Sequence, residues 1–265
     1  IMEKGWHNIG FPLSNATVST FDSENDDAVV NITNDPATHN LWWYDSEQSG
    51  GEELGFTRGA YNTHAYGTWK MASNENLNAH GYNFYIDENF ASNLPKKIKV
   101  TGTTNDGDVN FNTDDNWGGW NLIPNIYPIS IGANIMFTQG FFGTEFDNAV
   151  WLWNPHDTYV QQGQGTSGSG SYVAIDAENG PATGVDIDPS GQVTVADINI
   201  APMQAFYIRR SNGSEVRRPN YADDPTNGVA PSTDVDNAIT STNNISVTVK
   251  PEFRTDCLND RHYKT

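Results

Sequence analysis

Three short motifs occur twice in this sequence in the same order, and this repetition constrains the fold more than any other feature. A tandem duplication is the most economical explanation, because each copy then folds into a similar unit. We expect the copies to superpose, with Trp6 on Trp120 and residues 84–86 on residues 206–208. The matching segments are GWHNIGFPL from Gly5 and GWNLIPNIYPI from Gly119, LWWYD (41–45) and VWLWN (150–154), and GYNFYI (81–86) and MQAFYI (203–208).

The motifs have the alternation of β-strands. In VWLWN, Trp151 and Trp153 point to one side while Val150 and Leu152 point to the other. The chain has 31 Asn and 24 Gly, two residue types that favour turns. No stretch of twelve residues keeps an apolar period of 3.6, so no helix is predicted. The sequence therefore predicts an all-β fold of two tandem β-sandwich modules, jelly-roll-like and related by internal duplication.

The module boundaries follow from the positions of the motifs and the polar segments. Residues 97–102 and 108–112 are both strand-like and flank a turn that contains Gly107, so we predict a hairpin there. The predicted units are a first module over 1–103, a hairpin or connection over 104–117, a second module over 118–253 with a long polar loop at 212–244, and a C-terminal extension over 254–265.

The charge of the chain excludes some partners. With 33 acidic and 14 basic side chains, the net charge is −19, which repels phosphate and argues against nucleic acid. No apolar run approaches the roughly 20 residues of a membrane helix, so no membrane insertion is expected.

The single cysteine, Cys257, cannot form an internal disulfide, and its polar neighbours predict an exposed, reduced thiol. This composition suits an extracellular bacterial protein. Because no apolar leader precedes Gly5, we expect the sequence to be part of a longer chain.

The second set of motifs carries a family resemblance. GWNLIPNIYPISI, VWLWN and IAPMQAFYI resemble a module of Bacteroidetes surface proteins, in which a GWNLIGNPYPS element precedes YVWN and GQGFFV strands. The resemblance covers most of residues 5–209 and departs where Pro124 replaces the usual Gly and Ile126 the usual Pro. It implies export by the type IX secretion system, through a separate C-terminal sorting domain, to the cell surface. The expected partners are neighbouring modules or subunits of the same surface protein.

Basic side chains follow both FYI motifs. Such charges commonly protect edge strands from pairing, which is the interpretation we favour. The alternative is that they bind an acidic patch on a neighbouring copy. The residues are Lys96, Lys97, Lys99, Arg209, Arg210, Arg217 and Arg218.

No pattern of catalytic residues stands out. The six histidines form no HExxH motif, and the chain has no GxSxG or GxGxxG motif. Any two of the 33 carboxylates could serve a glycosidase, and nothing in the sequence selects a pair. We therefore expect a protein that is not an enzyme, with a glycan-degrading enzyme as a lesser hypothesis.

Four aromatic residues are candidate ligand-binding residues: Trp42, Tyr44, Trp151 and Trp153. They share one strand face in each module, and exposed aromatic rings stack against sugar rings. The alternative, which we favour, is that they are core residues, because burying such rings stabilises a fold by about 2–3 kcal/mol each. Two functions follow. The first is a structural or adhesive module of a cell-surface or fibre-forming protein, and the second is a carbohydrate-binding module of a secreted polysaccharide-degrading protein.

One segment has the spacing of a calcium loop. Its ligand positions would be Asp186, Asp188, Ser190, Gln192 and Asp197. The β-branched residues that follow, together with a Pro-Ser-Gly turn, instead favour a hairpin with strands at 184–188 and 192–199. We therefore expect no cofactor, with calcium as the alternative.

Overall fold

The computed structural model describes ten segments of the chain. The calcium-like pattern at 186–197, the polar loop at 212–244 and Cys257 lie outside these residues, as do Lys96, Arg217 and Arg218. The described residues are 5–25, 29–35, 38–45, 68–86, 97–113, 119–154, 171–176, 180–181, 199–211 and 245–255.

The described elements are almost all short antiparallel strands, which confirms the predicted all-β class. The strands are β1 (Gly5–Ile9), β2 (Leu41–Asp45), β3 (Thr68–Met71), β4 (Tyr82–Ile86), β5 (Val109–Thr113), β6 (Trp120–Pro124), β7 (Ile131–Gly132), β8 (Ala149–Asn154), β9 (Ser171–Asp176), β10 (Gly180–Pro181), β11 (Asn199–Ile200), β12 (Ala205–Arg209) and β13 (Ile245–Val249). The helices are α1 (Val18–Glu24) and α2 (Ala133–Thr138), and a 3-10 turn covers Pro251–Phe253.

The main strands form two antiparallel sheets with corresponding strand orders. The first sheet has the order β1-β4-β2-β3, and the second has β6-β12-β8-β9-β10. The repeated motifs supply β1 and β6, β2 and β8, and β4 and β12. Each motif therefore occupies the same position in its sheet as its counterpart does in the other.

The pairing register corrects one predicted match. Trp6 lies opposite Tyr85 in the first sheet, whereas Trp120 lies opposite Arg209 in the second. With Trp6 placed on Trp120, Tyr85 corresponds to Arg209 and not to Tyr207. The two FYI motifs are thus offset by two residues. An offset of two leaves every side chain on its original face, which is why the motifs still look equivalent in sequence.

The predicted hairpin around Gly107 does not form. Residues 97–102 are not part of a strand, and β5 pairs with the distant strand β13. Phe111 is 6% exposed and Val247 is 3% exposed, and both pack in the same core. Burial against a distant partner therefore outweighed the local turn signal. A further two-stranded sheet pairs β7 with β11.

Each large sheet covers a hydrophobic core with one of its faces. In the first core, Tyr82, Phe84 and Ile86 alternate inward from β4. In the second core, Phe206 and Ile208 do the same from β12. The first core also receives Phe11, Val18, Phe21, Val30 and Leu77, and the second Tyr127, Met136, Phe141, Val249 and Phe253.

Two short helices, which the sequence pattern does not predict, close these cores. Helix α1 buries Val18 and Phe21, and the Thr17 side chain caps it by accepting a hydrogen bond from the Thr20 N–H. Helix α2 buries Ala133 and Met136. With 7 and 6 residues, neither helix is long enough to produce a recognisable apolar period. Among the described residues, no helix is long and apolar enough to cross a membrane.

Candidate functional site

The two sheets face each other through an aromatic interface. The faces of the sheets that turn away from the two cores carry Trp and Tyr side chains, because these residues alternate with the core residues along each strand. Tyr44 of the first sheet and Tyr207 of the second are 5.9 Å apart between ring centroids, at a steep angle of 77°. The cluster consists of Tyr44, Trp69, Trp120, Leu122, Trp151, Ala205 and Tyr207. We call it the inter-sheet cluster.

Hydrogen bonds also join the two sheets. The indole N–H of Trp153 donates to the backbone carbonyl of Trp6 over 2.6 Å. The Asn8 side-chain amide donates to the Tyr172 hydroxyl over 3.1 Å. Together these bonds connect β1 of one sheet to the neighbouring strands β8 and β9 of the other. Hydrogen bonds are directional and apolar contacts are not, so these bonds favour one relative position of the two sheets.

Two glycines allow the sheets to approach closely. A Cβ atom at Gly10 would lie 2.5 Å from the Cβ of Pro124, and one at Gly81 would lie 2.7 Å from the Cγ of Leu122. Both distances are too short for carbon atoms in contact. The Gly10 N–H also donates to the Met203 carbonyl over 3.0 Å. Glycine is therefore needed at these positions by steric packing between the sheets.

The first two predicted ligand-binding residues differ in their surroundings. Trp42 is only 3% exposed, and its indole N–H donates to the His39 carbonyl over 3.1 Å. The Trp42 ring also meets the His39 ring edge-on at 5.1 Å. Tyr44 is half-buried, and its ring lies 5.4 Å from Trp69. Trp42 is thus a buried side chain, and Tyr44 belongs to the inter-sheet cluster.

The other two predicted residues lie on β8, and both are half-buried. Trp151 meets Trp120 edge-on at 4.7 Å, within the inter-sheet cluster. Trp153 meets Tyr172 at 4.9 Å, beside its hydrogen bond to the first sheet. The structure thus brings Tyr44 and Trp151 into one cluster and gives Trp42 and Trp153 separate hydrogen-bonded positions.

Sequence reasoning missed several residues of this interface. Tyr172 is 43% exposed, the one exposed large hydrophobic side chain in the described part of the chain. Its ring lies 5.3 Å from that of Tyr207. The alternation in SYVAID could have placed Tyr172 on this face. No sequence signal could have paired it with Asn8, which is 164 residues away.

Desolvation raises the pKa of two tyrosines at the interface. Desolvation raises the pKa of the Tyr207 hydroxyl well above its ordinary value, with Tyr172 and Tyr44 raising it further. Desolvation likewise raises the pKa of Tyr172, partly offset by hydrogen bonds with Asn8 and Tyr207. At neutral pH these hydroxyls act as hydrogen-bonding groups and carry no charge.

Two of the predicted basic residues are engaged within the second sheet. The Arg209 guanidinium lies 5.8 Å above the Trp120 ring and 3.5 Å from an Asp147 carboxylate oxygen. Arg210 is 2% exposed, with its guanidinium 3.9 Å from Glu145. Arg210 therefore cannot present a charge to a neighbouring copy. Lys97 and Lys99 are exposed.

No metal-binding group of side chains is found among the described residues. Within those ten segments, no three His, Cys, Asp or Glu side chains come together as a metal ion would require. Comparisons with protein-family models, curated proteins and solved structures return no match to this chain. Its function is therefore inferred from its residues and their geometry.

Proposed function

We propose that this chain is a non-enzymatic building block of an extracellular protein, on the surface of a Bacteroidetes-type bacterium or in a fibre. The observation that carries the proposal is the inter-sheet cluster. Two of the four candidate sugar-binding rings, those of Tyr44 and Trp151, are packed in this cluster between the sheets. Their contribution is to hold two units in one rigid arrangement, which suits display, spacing or adhesion.

A tandem duplication explains why such a face exists. The repeated motifs occupy corresponding positions in two sheets of corresponding order, and each sheet turns its aromatic face toward the other. We infer that each copy supplies one apolar face and that the pair buries both. Burying an apolar face that would otherwise contact water stabilises the fold by about 25 cal/mol for each Å² buried.

The sequence resemblance supplies the proposed location. It covers most of residues 5–209 and points to type IX secretion and a cell-surface position, with neighbouring modules or subunits as partners. The net charge of −19 fits such an exposed position, because a strongly charged surface keeps a protein soluble and resists unspecific association.

The test combines a location and an activity measurement. Antibodies raised against the chain should label intact, non-permeabilised cells of the source bacterium. The purified chain should neither bind nor cleave a panel of plant, algal and bacterial polysaccharides. Labelling only after permeabilisation, or turnover of any polysaccharide, would contradict the proposal.

The alternative is a carbohydrate-binding module, and one observation favours it. Tyr172 is exposed at the edge of the aromatic interface, beside the half-buried Trp153 and the Asn8 amide. An exposed ring next to an amide is a usual arrangement for contacting a sugar. If this alternative holds, Tyr172→Ala abolishes glycan binding and leaves the fold intact. Tyr85→Ala, at a half-buried tyrosine of the first sheet, is the control and should bind as before.

A further inference from the structure

Met203 has a backbone conformation that methionine rarely adopts. Its φ angle is 62°, the only positive φ of a residue other than glycine in the described part of the chain. The Gln204 N–H donates to the Ala201 carbonyl over 3.1 Å, so residues 201–204 form a turn with Pro202 and Met203 at its centre. Proline followed by a positive φ is typical of a type II turn, in which the third residue is usually glycine. Methionine at this position therefore strains the backbone.

The Met203 side chain packs against the first core, although its turn leads into the second sheet. Strand β12 begins two residues later, at Ala205. Every other described side chain of the first core, or packed against it, comes from residues 9–100. We call the first sheet with its core the first half, and the second sheet with its core the second half. Met203 thus inserts a side chain of the second half into the core of the first, and this apolar contact offsets the strain of the turn.

Backbone contacts join the same turn to both halves. The Gly10 N–H donates to the Met203 carbonyl over 3.0 Å, and Gln204 forms an isolated β-bridge with Ile9. The Asn125 N–H, directly after β6, donates to the Gln204 carbonyl over 2.8 Å. The turn therefore connects the two halves, and the Met203 side chain is the apolar part of that connection.

Met203 is also accessible to small solutes. It is half-buried, whereas Met136 in the second core is 0% exposed. Met71 on strand β3 is half-buried as well, and Met2 lies outside the described residues. A thioether that contacts both solvent and a core is a position at which oxidation changes the packing.

We propose that Met203 is a site of reversible oxidation and that its sulfoxide loosens the connection between the two halves. A hydroperoxide transfers one oxygen atom to the thioether sulfur. The O–O bond breaks and an S=O bond forms, so the sulfur is oxidised by two electrons while the peroxide is reduced to water or an alcohol. Reduction of the sulfoxide by a methionine sulfoxide reductase and a thiol restores the methionine.

The loosening follows from the polarity of the sulfoxide. A polar group is less stable against the first core than a thioether is, so oxidation weakens the contact that offsets the strain of the turn. The Gly10 N–H then loses its partner more often, because the Met203 carbonyl belongs to the strained residue itself. This proposal does not depend on the function proposed above.

The test follows the Gly10 amide, whose hydrogen bond to Met203 reports on the connection directly. The purified chain is treated with hydrogen peroxide, and peptide mass spectrometry measures the sulfoxide at each methionine. We expect Met203 to be oxidised faster than Met136 by roughly tenfold or more. Amide hydrogen exchange should then show Gly10 roughly tenfold less protected. The Phe21 N–H should keep its protection, because it donates to the Thr17 carbonyl within the first half.

Met203→Leu is the matched control, because leucine keeps an apolar side chain that peroxide does not oxidise. Its Gly10 protection should be the same before and after peroxide, although Met71 is still present. Met203→Gln puts a polar group at nearly the same length and should lose Gly10 protection without peroxide. Treating the oxidised parent chain with methionine sulfoxide reductases and a thiol should restore the protection.

Four results would each show that the proposal is wrong. The first is oxidation of Met203 no faster than that of Met136. The second is an oxidised parent chain in which Gly10 is as protected as before. The third is an equal loss of Gly10 protection in Met203→Leu after peroxide, and the fourth is full protection of Gly10 in Met203→Gln.

Discussion

Buried asparagine side chains substitute for backbone partners in this protein. Asn125 is fully buried, and its amide nitrogen lies 3.1 Å from the Ile129 carbonyl oxygen and 3.0 Å from that of Ala201. The Asn40 amide donates to the carbonyls of Val29 and Tyr85. In a fold of short strands, many buried carbonyls have no partner in a ladder and need one from a side chain. This use of asparagine gives a structural role to part of the high Asn content.

Trp153 provides the first prediction at the scale of the residue. Trp153→Ala should lower the free energy of unfolding by about 2–3 kcal/mol, because it removes a half-buried ring and the bond to the Trp6 carbonyl. Trp153→Phe keeps a ring without the N–H and should lose only about 1 kcal/mol. Urea denaturation measures both. Equal effects of the two variants would show that the ring contributes nothing beyond the hydrogen bond, and a Trp153→Phe protein as stable as the parent would show that the hydrogen bond contributes nothing.

Gly10 provides the second prediction. Gly10→Ala should lower the free energy of unfolding by about 1–3 kcal/mol, because the new methyl group would meet Pro124 at 2.5 Å and push the sheets apart. Gly107→Ala is the matched control, since a Cβ there meets nothing within 4 Å, and its effect should stay within about 0.5 kcal/mol. Thermal unfolding monitored by tryptophan fluorescence compares the two. A Gly10→Ala protein as stable as the control would argue against the close approach of the sheets.

At the scale of the element, the short length of the two helices explains why the sequence pattern predicts the main strands but not the helices. Strands with clear alternation, such as β4, β8 and β12, are found where the sequence predicts them. The helices α1 and α2 are missed because two turns cannot produce a period. Isolated helices of this length are unstable in water, so packing against the cores has to maintain them.

The cap of α1 can be tested directly. Thr17→Ala removes the side-chain oxygen that accepts from the Thr20 N–H over 3.1 Å, and it should cost about 1 kcal/mol of stability. Thr17→Ser keeps the oxygen and should retain most of that stability. Amide hydrogen exchange of residues 18–24 shows whether the loss is confined to the helix. Protection that is unchanged in Thr17→Ala would mean that the core alone fixes this helix.

At the scale of the whole molecule, the layers follow a simple order. The layers are, in order, the first core, the first sheet, the inter-sheet cluster, the second sheet and the second core. Both faces of each sheet are therefore covered in part by apolar side chains. The chain has only 36% hydrophobic residues. Among the residues that the structure describes, the aromatic side chains lie mainly in the two cores and the inter-sheet cluster.

Buried tyrosines make the stability of the molecule sensitive to alkali. Desolvation of the hydroxyl group raises the pKa of Tyr82, Tyr127, Tyr172 and Tyr207 above the ordinary value of 10.0. For Tyr172 this holds although the side chain as a whole is 43% exposed. The unfolded chain loses these protons near pH 10 while the folded chain keeps them, so the stability that they contribute is present below pH 10 and is lost as pH rises above it.

We therefore expect the urea midpoint to be nearly constant from pH 8 to 9.5 and to fall steeply by pH 11. In a spectrophotometric titration, these four of the 11 tyrosines should ionise late, or only on unfolding. Tyr172→Phe should reduce the alkaline loss of stability by removing one such group. A titration in which all 11 tyrosines ionise together near pH 10 in the folded protein would contradict this expectation.

The sequence by itself determined the all-β class, the positions of most principal strands and the face on which each motif residue lies. These features follow from alternation, which is local and depends only on which side chains need burial. Alternation also selected Trp42, Tyr44, Trp151 and Trp153 as residues of one strand face in each half, without deciding between a core role and ligand binding.

Only the tertiary structure decided what these faces pack against. The pairing of β5 with β13, the two-residue offset between the FYI motifs and the contact of Tyr44 with Tyr207 all join residues that are far apart in sequence. Alternation gives the same signal whether a face meets solvent, a ligand or another sheet. Whether a face is buried depends on the surface that packs against it, so the sequence of one strand does not identify the partner of its aromatic face.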